Sequence, residues 1–364
     1  MGAAQRHHRA GGAHAARSTS GAWGTGGSVN VLVVYGGESD EHDVSVASGE
    51  DVLASLRSSG DIDVTAALID RDGRWHRTGE GTSAGAAARD VLDDLEPGTV
   101  IFPVLHGGWG EGGGLQREVE HRDLGLVGCG SDAAATALSK LQTQRVWAQA
   151  GLDVIPTLPV ARTEFAADAA AVVRRVRQAL PGDIVVKPDS GGSSIGVHMV
   201  SAGDEPLPAL ADVLARDETA LVQPRVIGRE VSIGVWQDAT GTPRATAASL
   251  LQLPADAEAG GFTYAHKYEG AGGVLLIPAG LPQLAALQRA ALQAFDALGC
   301  RDLARVDFFV TSDGAFVLNE INTMPGLRRA SHFPRLVAAA GIDYDTLLRS
   351  LVAAALVRDS ARLT

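Results

Sequence analysis

Short apolar, β-branched runs alternate with stretches of helical periodicity along most of this chain. VNVLVVYGG opens the pattern near residue 29 and ends at Gly36 and Gly37. An acidic stretch follows, Glu38 to Asp43, and then VSVASGEDVLASL with helical spacing. DVTAALID and TVIFPVLHGG read as second and third strands, with an Ala-rich helical stretch between them. Strands alternating with helices predict a parallel sheet covered on both faces. In such sheets the functional loops lie at the carboxyl ends of the strands, which puts Glu41 and the segment His106 to Glu111 at one edge. The full GxGxxG fingerprint is absent, so no NAD site is inferred.

Beyond Ser131 the pattern changes. ATALSKLQTQRVWAQAG predicts one helix ending at Gly151, and VIPT then leads into a strand. DIVVKPDSGGSSIGVHMV reads as strand, Gly/Ser loop, strand, with Val185 and Lys187 on one strand face. Gly191, Gly192, Ser193, Ser194 and Gly196 expose amides and hydroxyls suited to wrapping phosphate oxygens. No GK[ST] follows, so this is not a Walker loop, and a plain solvated turn needs neither so many small residues nor a preceding lysine. In CRDLARVDFFVTSDGAFVLNEINTMPG two β-rich runs flank TSDG, which predicts a hairpin. Period-2 alternation puts Arg305 and Asp307 on one face of the first strand, and Glu320 and Asn322 on one face of the second. Oxygen donors without Cys or His suit Mg²⁺ or Mn²⁺ and leave coordination positions for waters and phosphates.

Composition narrows the class. The 364 residues are 45% hydrophobic and 20% charged, enough for two or three globular domains. A net charge of −12 without a basic stripe argues against nucleic acid as partner. Cys129 and Cys300 form no CxxC pair, so neither a disulfide framework nor a structural zinc site is suggested, and a reducing cytoplasm fits. No apolar run approaches the ~20 residues needed to span a bilayer, so no membrane partner is expected and the protein reads as soluble. Residues 1–28 read as a disordered tail rich in Gly, Ala, Ser, Arg and His, without a signal peptide's hydrophobic segment. Lysine occurs only at Lys140, Lys187 and Lys267, the rest of the 31 basic residues being arginine. Each lies in a segment with its own chemical signature, and a compact ammonium in so arginine-biased a chain points to phosphate handling.

With these motifs in this order, residues 29 to 358 resemble an ATP-grasp carboxylate-amine ligase of the D-alanine-D-alanine ligase family. The resemblance implies an α/β, three-domain ATP-grasp fold with a Rossmann-like N-terminal parallel-sheet domain and ATP between the central and C-terminal domains. Its expected divisions are 29–130, 131–225 and 226–364. It also implies ATP-dependent joining of two D-alanines for peptidoglycan precursors, two Mg²⁺ ions, a cytoplasmic location and a homodimer.

Carried over by motif, Lys140 and Lys187 resemble the lysines on the α- and β-phosphates. Lys267 resembles the one on a closing loop, Tyr264 to Gly273, that reaches toward the γ-phosphate. Ser194 falls in the phosphate loop GGSSIG. Gln223 resembles the residue that meets the adenine amino group and Glu230 the one that holds the ribose. Asp307, Glu320 and Asn322 match metal ligands, and Arg305 with the amide of Gly326 matches the group facing oxyanion charge. Glu41 resembles the carboxylate receiving the first D-alanine's ammonium, with Val44 and His106 beside it. Ser193 and Tyr268 match its partners in a hydrogen-bonded trio. Ser331 resembles the hydroxyl receiving the second D-alanine's carboxylate. Gln223 replaces an acid usual in the family, Ser139 an Asp, Gly112 the Asp of HGxxGEDG, and His332 an apolar residue. The last two leave open a related ligase with another acceptor, such as D-serine, D-lactate or a further amino acid.

Overall fold

Strand β1 (Val29–Gly36) is apolar at nearly every position and buried along six consecutive residues, which makes it the centre of a sheet covered on both faces. It pairs in parallel with β2 (Ile62–Ile69) and with β4 (Val100–Leu105). The computed structural model describes residues 28–78, 85–192, 195–238, 240–252 and 274–360. The first sheet runs β3-β2-β1-β4-β5, with β3 (Trp75–Thr78) and β5 (Gly125–Leu126) at its edges. β3 departs from the expected all-parallel sheet: it returns antiparallel to β2. A tight turn closed by Asp70, whose carboxylate accepts the amides of Asp72 and Arg74, leaves no length for a crossover helix. In the Ala-rich stretch, α2 spans only Ala88–Asp93. Helix α1 (His42–Arg57) covers one face of the sheet.

The second sheet, β6-β9-β7-β8, is antiparallel throughout. Its strands are β6 (Leu158–Ala161), β7 (Ile184–Pro188), β8 (His198–Val200) and β9 (Thr219–Pro224). The expected hairpin around the Gly/Ser loop is the β7–β8 pair. Helices α8 (Ala169–Ala179) and α9 (Leu207–Arg216) bury Val172, Val176, Leu210 and Val213 against Val160, Ile184 and Val222.

The third sheet, β12-β11-β10-β13-β14, is also antiparallel. It comprises β10 (Arg229–Gln237), β11 (Pro243–Gln252), β12 (Val274–Leu276), β13 (Leu303–Val310) and β14 (Phe316–Asn322). Helix α10 (Leu284–Ala297) packs Leu287, Ala291 and Phe295 on Val231, Val306 and Phe308. The segment expected to be one helix is two, α5 (Ser131–Leu138) and α6 (Lys140–Gln149), because Ser139 is extended. Trp147 of α6 joins the third core, donating its Nε1–H to the Ala294 carbonyl at 3.1 Å. After α11 (His332–Ala339), helix α12 (Tyr344–Ser360) turns back to the first sheet, where Leu347, Leu351 and Val352 bury against Val31, Val33 and Phe102. No helix among the described residues is long and apolar enough to cross a membrane.

Charged groups lock α12 in place. Arg358 grips the fully buried Asp302 through both guanidinium ends and donates to the Leu126 carbonyl at 2.8 Å. Asp302 also accepts the Gly128 amide at 2.6 Å and has a positive φ of 64°, the one non-glycine residue with positive φ among those described. Burial pushes its carboxyl above the ordinary range, against the pull of Arg358 and the Gly128 amide. Removing the cation strands a charge in the interior, so Arg358→Ala should lower unfolding free energy by about 3–5 kcal/mol. Urea unfolding followed by tryptophan fluorescence measures this, and a loss under about 1 kcal/mol would show that the pair is not the lock described.

Candidate active site

At the carboxyl edge of the first sheet the chain turns sharply out of β1. Gly36 has φ 92°, and a Cβ there would lie 2.2 Å from the Ile69 carbonyl oxygen, so only glycine fits. The turn leaves Glu41 at the N-cap of α1, with Val44 half-buried within its first turn. Two hydroxyls pin this loop to β4 and its exit. Ser45 donates to the Val104 carbonyl and accepts the Gly36 amide at 2.8 Å. Ser39 donates to the His106 carbonyl at 2.6 Å and accepts the Glu41 amide at 3.3 Å.

His106 is buried, and burial lowers its pKa below the ordinary value. Glu41 and the Met324 backbone pull upward, while Arg305 adds to the lowering. The imidazole is therefore neutral at pH 7, and its Nε2 has no partner among the described residues, as suits an atom that a ligand satisfies. Glu111 accepts the Gly107 amide at 2.7 Å. Burial pushes its carboxyl up to about 7, opposed by that amide and Lys140 and reinforced by Glu41 and Glu320. At Gly112, a Cβ would meet Leu138 Cδ2 at 2.6 Å and the Gly108 carbonyl at 2.8 Å, so Leu138 fills the space that a side chain there would take.

The loop between β7 and β8 comes against this edge: a Cβ on Gly192 would lie 3.3 Å from Glu41 Oε2. Ser193 and Ser194, which follow it, lie outside the described residues, as do Lys267 and Tyr268. Asp189, at the start of the loop, organises the helix break. Its carboxylate accepts from the Ser139 hydroxyl and from the Leu141 amide, each at 2.7 Å, and its carbonyl accepts the Lys140 amide at 3.1 Å. Ser139 in turn caps α6 by accepting from Gln142 N. Lys140 thus starts α6 and reaches the Gly191 carbonyl with Nζ at 2.5 Å. Lys187, on β7, is 7% exposed and donates to Asn319 Oδ1 of β14 at 3.3 Å. Gln223, paired with Val185 on the neighbouring strand, is buried and donates from Nε2 to Thr157 Oγ1 at 2.7 Å. Glu230 is half-buried near the start of β10.

The β13–β14 hairpin brings the expected acid-rich group together. Arg305 faces Asn322 across the pair, and Asp307 faces Glu320. Arg305 donates to both Asp307 oxygens at 2.8 to 3.1 Å, and Asn322 Nδ2 donates to Asp307 Oδ2 at 3.2 Å. A bulge leaves Asn319 as the extra residue opposite the Asp307–Phe308 step and re-aims it toward Lys187. Among the described residues no three His, Cys, Asp or Glu side chains gather as a metal cage. Two carboxylates and one amide oxygen instead match a hard divalent ion that shares its coordination with waters and phosphates. Ser331 precedes α11 without a side-chain cap bond, and a Cβ on Gly326 would lie 3.3 Å from its hydroxyl. His332 Nε2 makes a short hydrogen bond with Ser249 of β11, which sets the first residue of α11 against that strand.

Sequence reading missed several residues that hold this arrangement. Ser39, Asp189, Asn319 and Ser249 act through partners remote in sequence. Only Asp189, acidic and directly after the KP pair of β7, carried a local hint.

Two antiparallel sheets meeting at Lys140, Lys187 and Asn319, with a largely parallel sheet supplying Glu41 and His106, define an ATP-grasp ligase. A family model described as D-ala D-ala ligase N-terminus matches residues 30–129, and one described as D-ala D-ala ligase C-terminus matches residues 146–353. D-alanine-D-alanine ligase A of Mesorhizobium japonicum is 35% identical over 359 residues, covering 91% of this chain and 98% of that protein. The solved D-alanine-D-alanine ligase from Coxiella burnetii matches with TM-score 0.75 at 25% identity, over 92% of this chain and 97% of that one. VanG D-Ala:D-Ser ligase from Enterococcus faecalis matches with TM-score 0.77 at 26% identity, over 90% and 99%. The chain belongs to the D-Ala-D-Ala ligase family.

Two outcomes follow from the geometry. Asp189→Ala frees the Ser139 hydroxyl and the Leu141 amide, a loss of about 1–2 kcal/mol in local order. ATP affinity measured by calorimetry should weaken about tenfold, and unchanged affinity would detach the break from the nucleotide site. For Glu111, a folded pKa of about 7 against an ordinary 4.5 means its contribution to stability is full at low pH and is lost as pH rises through 7. Without metal, the wild-type Tm should fall more between pH 6 and pH 8 than that of Glu111→Gln. Parallel profiles would contradict the shift.

Proposed function

We propose that this protein joins two D-alanines into D-Ala-D-Ala at the expense of ATP, through an acyl phosphate, supplying peptidoglycan precursors in the cytoplasm. The observation that carries this reading is the convergence of Glu41, His106, Lys140, Lys187, Arg305, Asp307, Glu320 and Asn322 from three sheets in a chain of the D-Ala-D-Ala ligase family. The family uses ATP, a divalent metal ion and D-alanine. Mg²⁺ at Asp307, Glu320 and Asn322 fits the all-oxygen donor set, and it supplies charge neutralisation of the phosphoryl oxygens. A homodimer is part of the same reading.

Each residue then has a task. Gln223 has its amide nitrogen committed to Thr157, so its amide oxygen is the group that accepts from the adenine amino group, and Glu230 takes the ribose. Lys140 and Lys187 hold phosphate oxygens, with Lys267 reaching the terminal phosphate and Ser194 covering it. Glu41, flanked by Val44 and neutral His106, receives the ammonium of the first D-alanine, and Ser193 and Tyr268 complete its hydrogen bonds. The first carboxylate attacks the γ-phosphorus, ADP leaves, and an acyl phosphate remains. Ser331 holds the second D-alanine's carboxylate while its amine attacks the acyl carbon. Arg305 and the Gly326 amide face the oxyanion before phosphate departs. Exclusion of water protects the acyl phosphate meanwhile.

The His332–Ser249 pair favours a second reading, in which a more polar second pocket takes a hydroxylated acceptor such as D-serine. ATP-dependent phosphate release with D-alanine alone and with D-alanine plus D-serine, with mass analysis of the products, separates the two. Formation of D-Ala-D-Ala at a rate well above that of any mixed product supports the first reading, and phosphate release only with a second acceptor rejects it. Arg305→Ala should lower kcat by about 10²–10³-fold while ATP affinity stays within about twofold. A comparable loss in ATP affinity would place Arg305 in nucleotide binding instead.

A further inference from the structure

Cys129 and Cys300 are the chain's only cysteines. They are remote in sequence, yet both are buried in one cluster, and neither takes part in the chemistry above. Cys129 lies just beyond β5, where the first sheet ends, and Cys300 lies in the turn between α10 and β13. The two segments are knitted side by side. The Gly128 amide donates to Asp302 Oδ2 at 2.6 Å, Arg301 Nε donates to the Gly128 carbonyl at 3.1 Å, and Cys129 Sγ lies 3.9 Å from the Arg301 carbonyl oxygen. Cys129 Sγ thus abuts the residue that follows Cys300, and the two thiols are close enough for each to shift the other's titration. At the surface over this junction lies a cavity of about 310 Å³ lined by Gly130, Ser131, Leu298, Gly299 and Arg301, the chain neighbours of the two cysteines.

We propose that Cys129 and Cys300 form an oxidisable dithiol, which a hydroperoxide converts into a disulfide joining the exit of the first sheet to the entry of β13. The neighbouring Cys300 draws the Cys129 thiol below its ordinary pKa, while Cys129 and burial push Cys300 above its own, so Cys129 is the attacking sulfur. Its thiolate attacks one peroxide oxygen and the O–O bond breaks. With hydrogen peroxide the departing hydroxide leaves as water, and Cys129 is a sulfenic acid. Cys300 sulfur then attacks the sulfenic sulfur, the S–O bond breaks, and a second water carries away the Cys300 proton. Two thiols lose two electrons, and the peroxide is reduced to two waters. In a reducing compartment such a bond is transient and reports oxidative conditions. The bond would close a very long loop, restricting the unfolded chain and raising resistance to unfolding.

The full-length protein, treated with hydrogen peroxide, alkylated and mapped without reduction, tests this. A Cys129–Cys300 linked peptide pair, loss of two hydrogens from the intact mass, protection of both thiols from alkylation under denaturing conditions and reversal by dithiothreitol are expected. The oxidised protein should melt several degrees above the reduced one. Cys300→Ser under the same treatment should show no link and should leave Cys129 as a sulfenic acid that dimedone traps. Two alkylatable thiols after peroxide, sulfonic acids without a link, or links solely between chains would overturn the proposal. Because mass mapping reads the bond itself, the result is independent of whether the protein ligates D-alanine.

Discussion

The carboxylate of Asp189 sets the geometry that carries Lys140 and the β7–β8 loop, the side of the site proposed to take the nucleotide. By accepting from the Ser139 hydroxyl and the Leu141 amide, it ends α5 and starts α6 one residue later. The break turns Lys140 toward the Gly191 carbonyl instead of leaving it along one continuous helix. Because α6 is anchored through Trp147 in the third core, the same carboxylate also ties the β7–β8 loop to that unit. A serine in place of the usual acid before the lysine serves here, since a hydroxyl both donates to Asp189 and caps the new helix.

Assembly from three sheets makes the interfaces between them part of the site. Lys187 reaches Asn319 across the second and third sheets, and Gly192 lies against Glu41 across the first and second. Helix α12 closes the circuit, burying leucines under the first sheet while Arg358 holds Asp302 beside β13. Around this frame electrostatics divide the titratable groups by environment. His106 is kept neutral by burial and Glu111 is pushed to about 7, while Asp307 is matched by the Arg305 guanidinium. Arg305 thus offsets one of the two acids that face each other across β13 and β14.

Local pattern carried much of the architecture. Continuous apolar runs read correctly as β1, β2 and β4, and the Asp-Gly turn between β13 and β14 read correctly as a hairpin whose register pairs Arg305 with Asn322 and Asp307 with Glu320. The sequence concealed β3, because WHRT offers four residues without clear alternation and is strand only through pairing with β2. It also concealed the break at Ser139, since a single serine is tolerated within a helix and the deciding partner lies some fifty residues on. The bulge that releases Asn319 toward Lys187 has no local marker either. Ser193, Ser194, Lys267 and Tyr268 were legible only through the family motifs and lie outside the described residues.

Carboxylate activation by phosphoryl transfer is the central step of the proposed reaction. Isotope transfer tests that step directly: D-alanine labelled with ¹⁸O in its carboxylate is turned over with ATP and a divalent ion, and the released phosphate is analysed by mass. Passage through an acyl phosphate predicts one ¹⁸O atom in each phosphate released and none in the nucleotide. Unlabelled phosphate, or label recovered in AMP, would contradict it.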